Sequence, residues 1–391
     1  MALIVQKYGG TSIATVERIR NVAYKIADEV KNENRVAVVV SAMAGVTNGL
    51  ISLVNDCVEH VTSPQEYDVV VATGEQVTAG LLALTLQSMG IRARSWLGWQ
   101  LPIVTDSIHK KAKITDINAA PLLDCEVAVV AGFQGRSADN RITTLGRGGS
   151  DATAVALAHY LRAERCDIFT DVDGVFTVDP RLVSDARKID HLNFDEMLEF
   201  SSQGAKVLQA QSVLLAKQYN IPIHILSSLA STTGTLVSKA NETYRPSGII
   251  GIANDKNCTL IKLEKDKLNH SVFNNYLNEH NIYLNQFDND LIVRHEDLET
   301  IQAFIKTEKL TPTAMFDKVA KISLVGNRMN EFADIINKKV GLVFDEFGIN
   351  GHGTYATPQS LSIVASSGHS EDLVRALHKV FNLGKIGLSN G

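Results

Sequence analysis

Apolar residues follow two rhythms along the first 240 positions. Continuous apolar runs at 2–5, 36–40, 127–131, 166–170 and 221–226 read as strands buried on both faces. Between them, apolar residues return every three or four positions. Val16, Ile19, Ala23, Ile26 and Val30 make one helical face, and Ala154, Leu157, Ala158 and Leu161 make another. More helices are expected after Gly45 and over 206–219, with shorter strands around 93–96 and 102–105. Strands alternating with helices predict a three-layer α-β-α domain around a mainly parallel sheet.

The texture changes after a Ser-, Thr- and Gly-rich stretch at 227–238. Short strands are expected at 249–252, 259–263 and 291–294, with helices at 273–280 and 298–306. A similar order returns as strand 321–325, helix 331–347, strand 360–365 and helix 371–380. This predicts two ferredoxin-like units of β-α-β-β-α-β order, at about 249–318 and 319–391. The division is then a first domain over 1–240 and a tail over 241–391.

Length and composition fit that division and narrow the function. A chain of 391 residues exceeds one ordinary core. A net charge of −5 gives no basic field to recruit nucleic acid or an anionic membrane, so neither partner is expected. The four cysteines are scattered and form no C-x-x-C pair, which argues for a reducing cytoplasm. The first apolar run meets Lys7 too soon for a signal peptide, and no apolar run reads as long enough to span a bilayer.

Candidate chemistry sits where strands give way to helices. Thr144-Leu145-Gly146-Arg147-Gly148-Gly149-Ser150-Asp151 precedes a helix, with Ser150 and Asp151 expected as its caps. Glycines there admit a ligand to the backbone, and the helix terminus favours an anion. Arg147 either holds a carboxylate or phosphate, or is a solvated loop residue. Lys7-Tyr8-Gly9-Gly10 gives a strand, a glycine turn and a helix, but neither a Walker loop nor a dinucleotide fingerprint. Lys7 either reaches over the sheet or lies on the surface. Ser41 and Thr47 place hydroxyls at a strand's carboxyl end, where open α/β sheets bind ligands, or serve as plain caps. Glu75 is the only charge across 69–89 and needs a partner, structural or a substrate ammonium. Residues 171–181 form a loop whose acidic groups lack EF-hand spacing.

Taken in order, these stretches resemble the aspartate kinases of the amino-acid kinase superfamily. The matching motifs are Lys7-Tyr8-Gly9-Gly10-Thr11-Ser12, Ser41-Ala42-Met43, Thr73-Gly74-Glu75 and Gly132-Phe133-Gln134-Gly135. They continue through Thr144 to Asp151, Thr170-Asp171-Val172-Asp173-Gly174-Val175, Asp179-Pro180-Arg181 and Gly204-Ala205-Lys206. The tail is similar to that family's paired ACT domains, although Lys265-Asp266-Lys267-Leu268-Asn269 and Asn327-Arg328-Met329-Asn330 lack the family's proline turn.

The resemblance implies phosphorylation of the side-chain carboxylate of L-aspartate by ATP with Mg2+, the first step toward lysine, threonine and methionine. It implies Lys7 and Asp151 as catalytic residues. Thr47, Glu75, Arg147, Gly148, Gly149 and Ser150 fall on the aspartate side. Lys7, Tyr8, Gly9, Gly10, Ser41, Ser150, Thr170, Asp171, Val175, Asp179, Arg181 and Lys206 fall on the nucleotide side. No side chain is assigned to the metal, which ATP carries. A lysine or threonine effector at the tail is a further implication. Exposed edges of paired β-α-β-β-α-β sheets suggest a homodimer. The chemistry agrees: a carboxylate nucleophile is already ionised, so the absence of histidine from the motifs is no obstacle.

Overall fold

The computed structural model describes residues 2–384 except 206, 231, 240–247, 281 and 283. The chain forms two compact units interleaved in sequence rather than divided at residue 240. The first contains Met1–Val175, Asp190–Phe194 and Val207–Ala240, and the second contains Phe176–Ile189, Asp195–Lys206 and Asn241–Gly391.

The first unit is built on an eight-stranded sheet. Its order is His191–Asn193, Thr235–Ser238, Ile223–Ser227, Arg165–Thr170, Leu3–Tyr8, Arg35–Val40, Val127–Ala131 and Ala93–Trp96. From Ile223–Ser227 to Ala93–Trp96 every neighbouring pair is parallel. The carboxyl ends of these strands therefore share one edge, where α/β sheets gather ligands. β-branched residues stiffen the central strands. Val36, Val38 and Val40 pack with Ile19, Ala23 and Ile26 of helix Val16–Lys31 and with Leu82 and Leu86 of helix Thr73–Ser88. Helix Gly149–Tyr160 packs on the same strands from outside that cluster, completing the three layers.

Two expectations change here. Every residue from Gly149 to Ala158 is buried, so over these residues the helix has no solvent-exposed face. Its alanines and glycine let neighbours approach on all sides. Its cap is Gly148 in the left-handed region at φ 69°, with no side-chain cap bond, so Ser150 and Asp151 do not cap. Second, Pro64–Ser88 is long and apolar enough to cross a membrane by length and composition, contrary to the sequence reading. It is two helices, Pro64–Val71 and Thr73–Ser88, and the latter buries Gly74, Glu75, Thr78, Ala79, Leu82, Ala83 and Leu86. A smaller sheet of Ile114–Ile117, Ile103–Thr105, Gln134–Arg136 and Ile142–Thr144 leads directly into the glycine loop.

The second unit carries a six-stranded sheet ordered Asn285–Phe287, Asp290–Arg294, Gly248–Leu263, Pro312–Asn327, Ser360–Ser366 and Gly353–Ala356. The two long strands run side by side across both repeats, antiparallel and with irregular register. Residues 258–262 pair with the strand Asp290–Arg294, whereas 248–255 pair with 321–327. Ile252 accordingly lies in the core with Ile322, Leu324, Ile336, Val340, Leu361 and Leu373, not with Leu263, Phe273, Leu291 and Phe304. Each repeat has the expected two helices, but the segment expected to open the first repeat, 248–255, instead completes the second.

Candidate active site

Leu3–Tyr8 ends at the ligand edge with Lys7 flanked by Val39 and Ile168 on the neighbouring strands. The Lys7 Nζ meets Asp151 Oδ1 at 2.6 Å, with both side chains mostly buried. Asp151 lies in the first turn of helix Gly149–Tyr160, where a carboxylate is favoured by the helix dipole. A β-carbon at Gly9 would stand 3.3 Å from Lys7 Nζ, and one at Gly10 would stand 2.8 Å from the Ala42 carbonyl oxygen. The turn must be glycine for the lysine and the neighbouring strand end to come this close. Tyr8 contributes backbone only. Its ring is fully buried, stacked 4.6 Å from Phe169, and its carbonyl accepts the Ser41 N–H at 3.1 Å.

Glu75 sits in the first turn of Thr73–Ser88, only 3% exposed. Its Oε1 accepts the Ala42 N–H at 2.9 Å, while its Oε2 has no hydrogen-bond partner among the described residues. Burial pushes the carboxyl up from 4.5 to about 7, against the downward pull of the Ala42 N–H. Gly74 lies against Ala42 and Val46, so the helix start carrying Thr47 packs beside Glu75's turn. Ala42 was not singled out from the sequence; it touches both Glu75 and Gly10.

The glycine loop leads into the helix that carries Asp151. Gly146 and Gly148 are left-handed at φ 74° and 69°, and a β-carbon at Gly149 would stand 2.8 Å from Leu145 Cβ. A β-carbon at Gly132 would stand 2.9 Å from Ser150 Oγ, so Ser150 lies over the end of Val127–Ala131. Arg147 is exposed on this loop, four positions before Asp151.

Thr170 ends the strand beside Leu3–Tyr8 and donates from Oγ1 to Asp171 Oδ1 at 3.2 Å. The buried Val175 donates its N–H to Thr235 Oγ1 at 2.8 Å. Asp179 and Arg181 belong to the second unit, where the guanidinium holds both carboxylate oxygens, at 3.0 Å from Nε to Oδ1 and 2.8 Å from Nη2 to Oδ2. That pairing lowers the Asp179 carboxyl below its ordinary value. Lys206 lies outside the described residues.

Comparison with known proteins identifies the architecture around these groups. Residues 2–227 match the amino acid kinase family. An aspartokinase of Rickettsia felis is 38% identical over 99% of this chain and 100% of its own length. One from Pseudomonas aeruginosa is 39% identical over 98% of each chain. The crystal structure of Escherichia coli aspartokinase III with aspartate and ADP superimposes with a TM-score of 0.83, at 26% identity over 97% of this chain and 100% of that one. With the full length of these relatives covered and the lysine, carboxylates and glycine loop gathered at one sheet edge, the chain belongs to the aspartokinases of the amino acid kinase family.

Proposed function

We propose that this enzyme transfers the γ-phosphoryl group of ATP to the side-chain carboxylate of L-aspartate, giving 4-phospho-L-aspartate and ADP. The observation that carries the reading is Glu75 Oε2, a buried carboxylate oxygen with no hydrogen-bond partner among the described residues. A buried carboxylate is costly until a cation meets it, and the α-ammonium of an amino acid is such a cation. Arg147 on the glycine loop is suited to the α-carboxylate. The side-chain carboxylate is then the end left to react. Thr47, Gly148, Gly149 and Ser150 are assigned to the same substrate.

In the transfer, a carboxylate oxygen forms the new P–O bond as the bond to the β-phosphate oxygen breaks, and ADP leaves with the electron pair. No base is needed, so catalysis is alignment and charge compensation between two anions. Lys7 supplies a fixed ammonium, oriented by Asp151. Gly9, Gly10 and Ser41 border the phosphates, and Thr170, Asp171, Val175, Asp179, Arg181 and Lys206 are assigned to the nucleotide. Among the described residues no group of three or more His, Cys, Asp or Glu side chains could hold a metal ion. Mg2+ would be held by ATP phosphates and water and would offset phosphate charge there.

The tail repeats are assigned as ACT modules, where lysine or threonine would be the effector; Escherichia coli aspartokinase III has been solved with lysine and aspartate. The edge strands Asn285–Phe287 and Gly353–Ala356 suit pairing in a homodimer. A cytoplasmic location suits an enzyme that draws on ATP and free aspartate. The test is ADP release with aspartate, glutamate or UMP as acceptor, with hydroxylamine trapping of the acyl phosphate. Aspartate alone is expected to give both signals. Equal release without aspartate would overturn the reading.

A further inference from the structure

We infer that Asp68 is a positioning residue that sets the separation between the ammonium and carboxylate ends of the substrate site. The inference rests on the aspartate reading proposed above. Asp68 is fully buried in helix Pro64–Val71. Its Oδ1 accepts the Thr144 hydroxyl at 2.6 Å, and its Oδ2 accepts the Thr144 N–H at 3.1 Å. Oδ2 also accepts the His109 Nδ1–H at 2.7 Å and the Lys110 N–H at 3.1 Å. One carboxylate thus gathers two separate loops onto one helix.

Thr144 is the last residue of its strand and stands three positions before Arg147. The second loop braces the first. The Ala112 N–H donates to the Thr144 carbonyl at 2.9 Å, and a β-carbon at Gly146 would stand 3.1 Å from the Lys110 carbonyl oxygen. On the other side, the helix bearing Asp68 is followed at once by the helix bearing Glu75. The break between them is held where Gln134 Nε2 donates to the Ala72 carbonyl at 2.8 Å. Asp68 therefore ties the base of the Arg147 loop to the helix pair that carries Glu75. A carboxylate is required because three N–H groups and a hydroxyl converge on it in the dry interior; an amide in its place turns one acceptor oxygen into a donor.

The test compares Asp68→Asn and Thr144→Val with wild type, using Thr144→Ser as the conservative variant. Aspartate KM is expected to rise about tenfold in the first two, as for one lost charge-assisted hydrogen bond, with ATP KM within about twofold. Discrimination between aspartate and glutamate is expected to weaken, and Thr144→Ser to restore both. If Asp68→Asn fails to fold, Thr144→Val, which keeps the Asp68 carboxylate and the backbone N–H, decides alone. Parallel rises in both KM values, or unchanged aspartate KM in a folded Thr144→Val, would overturn the inference while wild type still turns over aspartate. Absence of aspartate turnover in wild type would instead sink the reading beneath it.

Discussion

Replacing Glu75 by Gln keeps the side chain's shape and an oxygen for the Ala42 N–H but removes the buried charge. Two effects of opposite sign follow. The charge-assisted hydrogen bond to the substrate ammonium is worth about 1.5–3 kcal/mol, so aspartate KM is expected to rise roughly 10- to 150-fold. The free enzyme, by contrast, gains stability. Its carboxyl rises from 4.5 to about 7 on folding. The folded state therefore binds the proton more tightly than the unfolded chain, and wild-type stability falls as pH rises from 4.5 through 7. At 1.36 kcal/mol per unit, the ionised carboxylate costs about 3 kcal/mol above that window and nothing below it. Glu75→Gln is then expected to melt roughly 5–10 °C higher than wild type at pH 8, converging with it near pH 4. Steady-state kinetics and thermal melts at the two pH values measure both effects. Unchanged aspartate KM together with a lower melting temperature at pH 8 would refute the reasoning, because Glu75 would then be paired within the protein.

Other expectations follow from the same geometry. Aspartate kcat/KM is expected to fall tenfold per unit below about pH 7 as Glu75 protonates, and the Glu75→Gln profile to lack that limb. Lys7→Ala removes the cation held 2.6 Å from Asp151, and kcat is expected to drop about 10²- to 10³-fold with a smaller change in either KM. Equal kcat would remove Lys7 from the transfer. Gly149→Ala puts a methyl 2.8 Å from Leu145 Cβ and 2.9 Å from Phe133 Cδ2, so the loop must shift and aspartate kcat/KM is expected to fall; full activity would show that the loop tolerates displacement. In the second unit, the fully buried Gln203 accepts from Ser323 Oγ at 2.9 Å and Ser362 Oγ at 3.2 Å and donates to Ser360 Oγ at 3.2 Å. Gln203→Leu is expected to cost about 1–3 kcal/mol in chemical denaturation of that unit.

The sequence made the central sheet legible because its strands are short, β-branched and buried on both faces. Helix Gly149–Tyr160 was misread as amphipathic because alanine fits a crowded interior as well as an apolar face. The long strands Gly248–Leu263 and Pro312–Asn327 looked like short pieces, since polar residues such as Asp255, Lys256 and Asn257 interrupt the first. That residues 248–255 complete the second repeat was hidden, because their partners at 321–327 are far away in sequence. At the site, Lys7, Glu75, Asp151 and the glycines announced themselves by motif or isolation. Ala42 acts through its backbone, which leaves no mark on residue type. Asp68 stands among Gln65, Glu66 and Tyr67 at a helix start, where an acidic residue is commonplace, and only the fold shows it buried.

The proposed pairing of Glu75 with the substrate ammonium has a direct signature in proton uptake and release. At pH 7 the free carboxyl is about half protonated, and bound aspartate is expected to ionise it fully. Titration calorimetry of aspartate binding in buffers of different ionisation enthalpy is expected to report about half a proton released per aspartate for wild type, and none for Glu75→Gln. Binding by wild type with no proton release at pH 7, or release that persists in Glu75→Gln, would contradict the account.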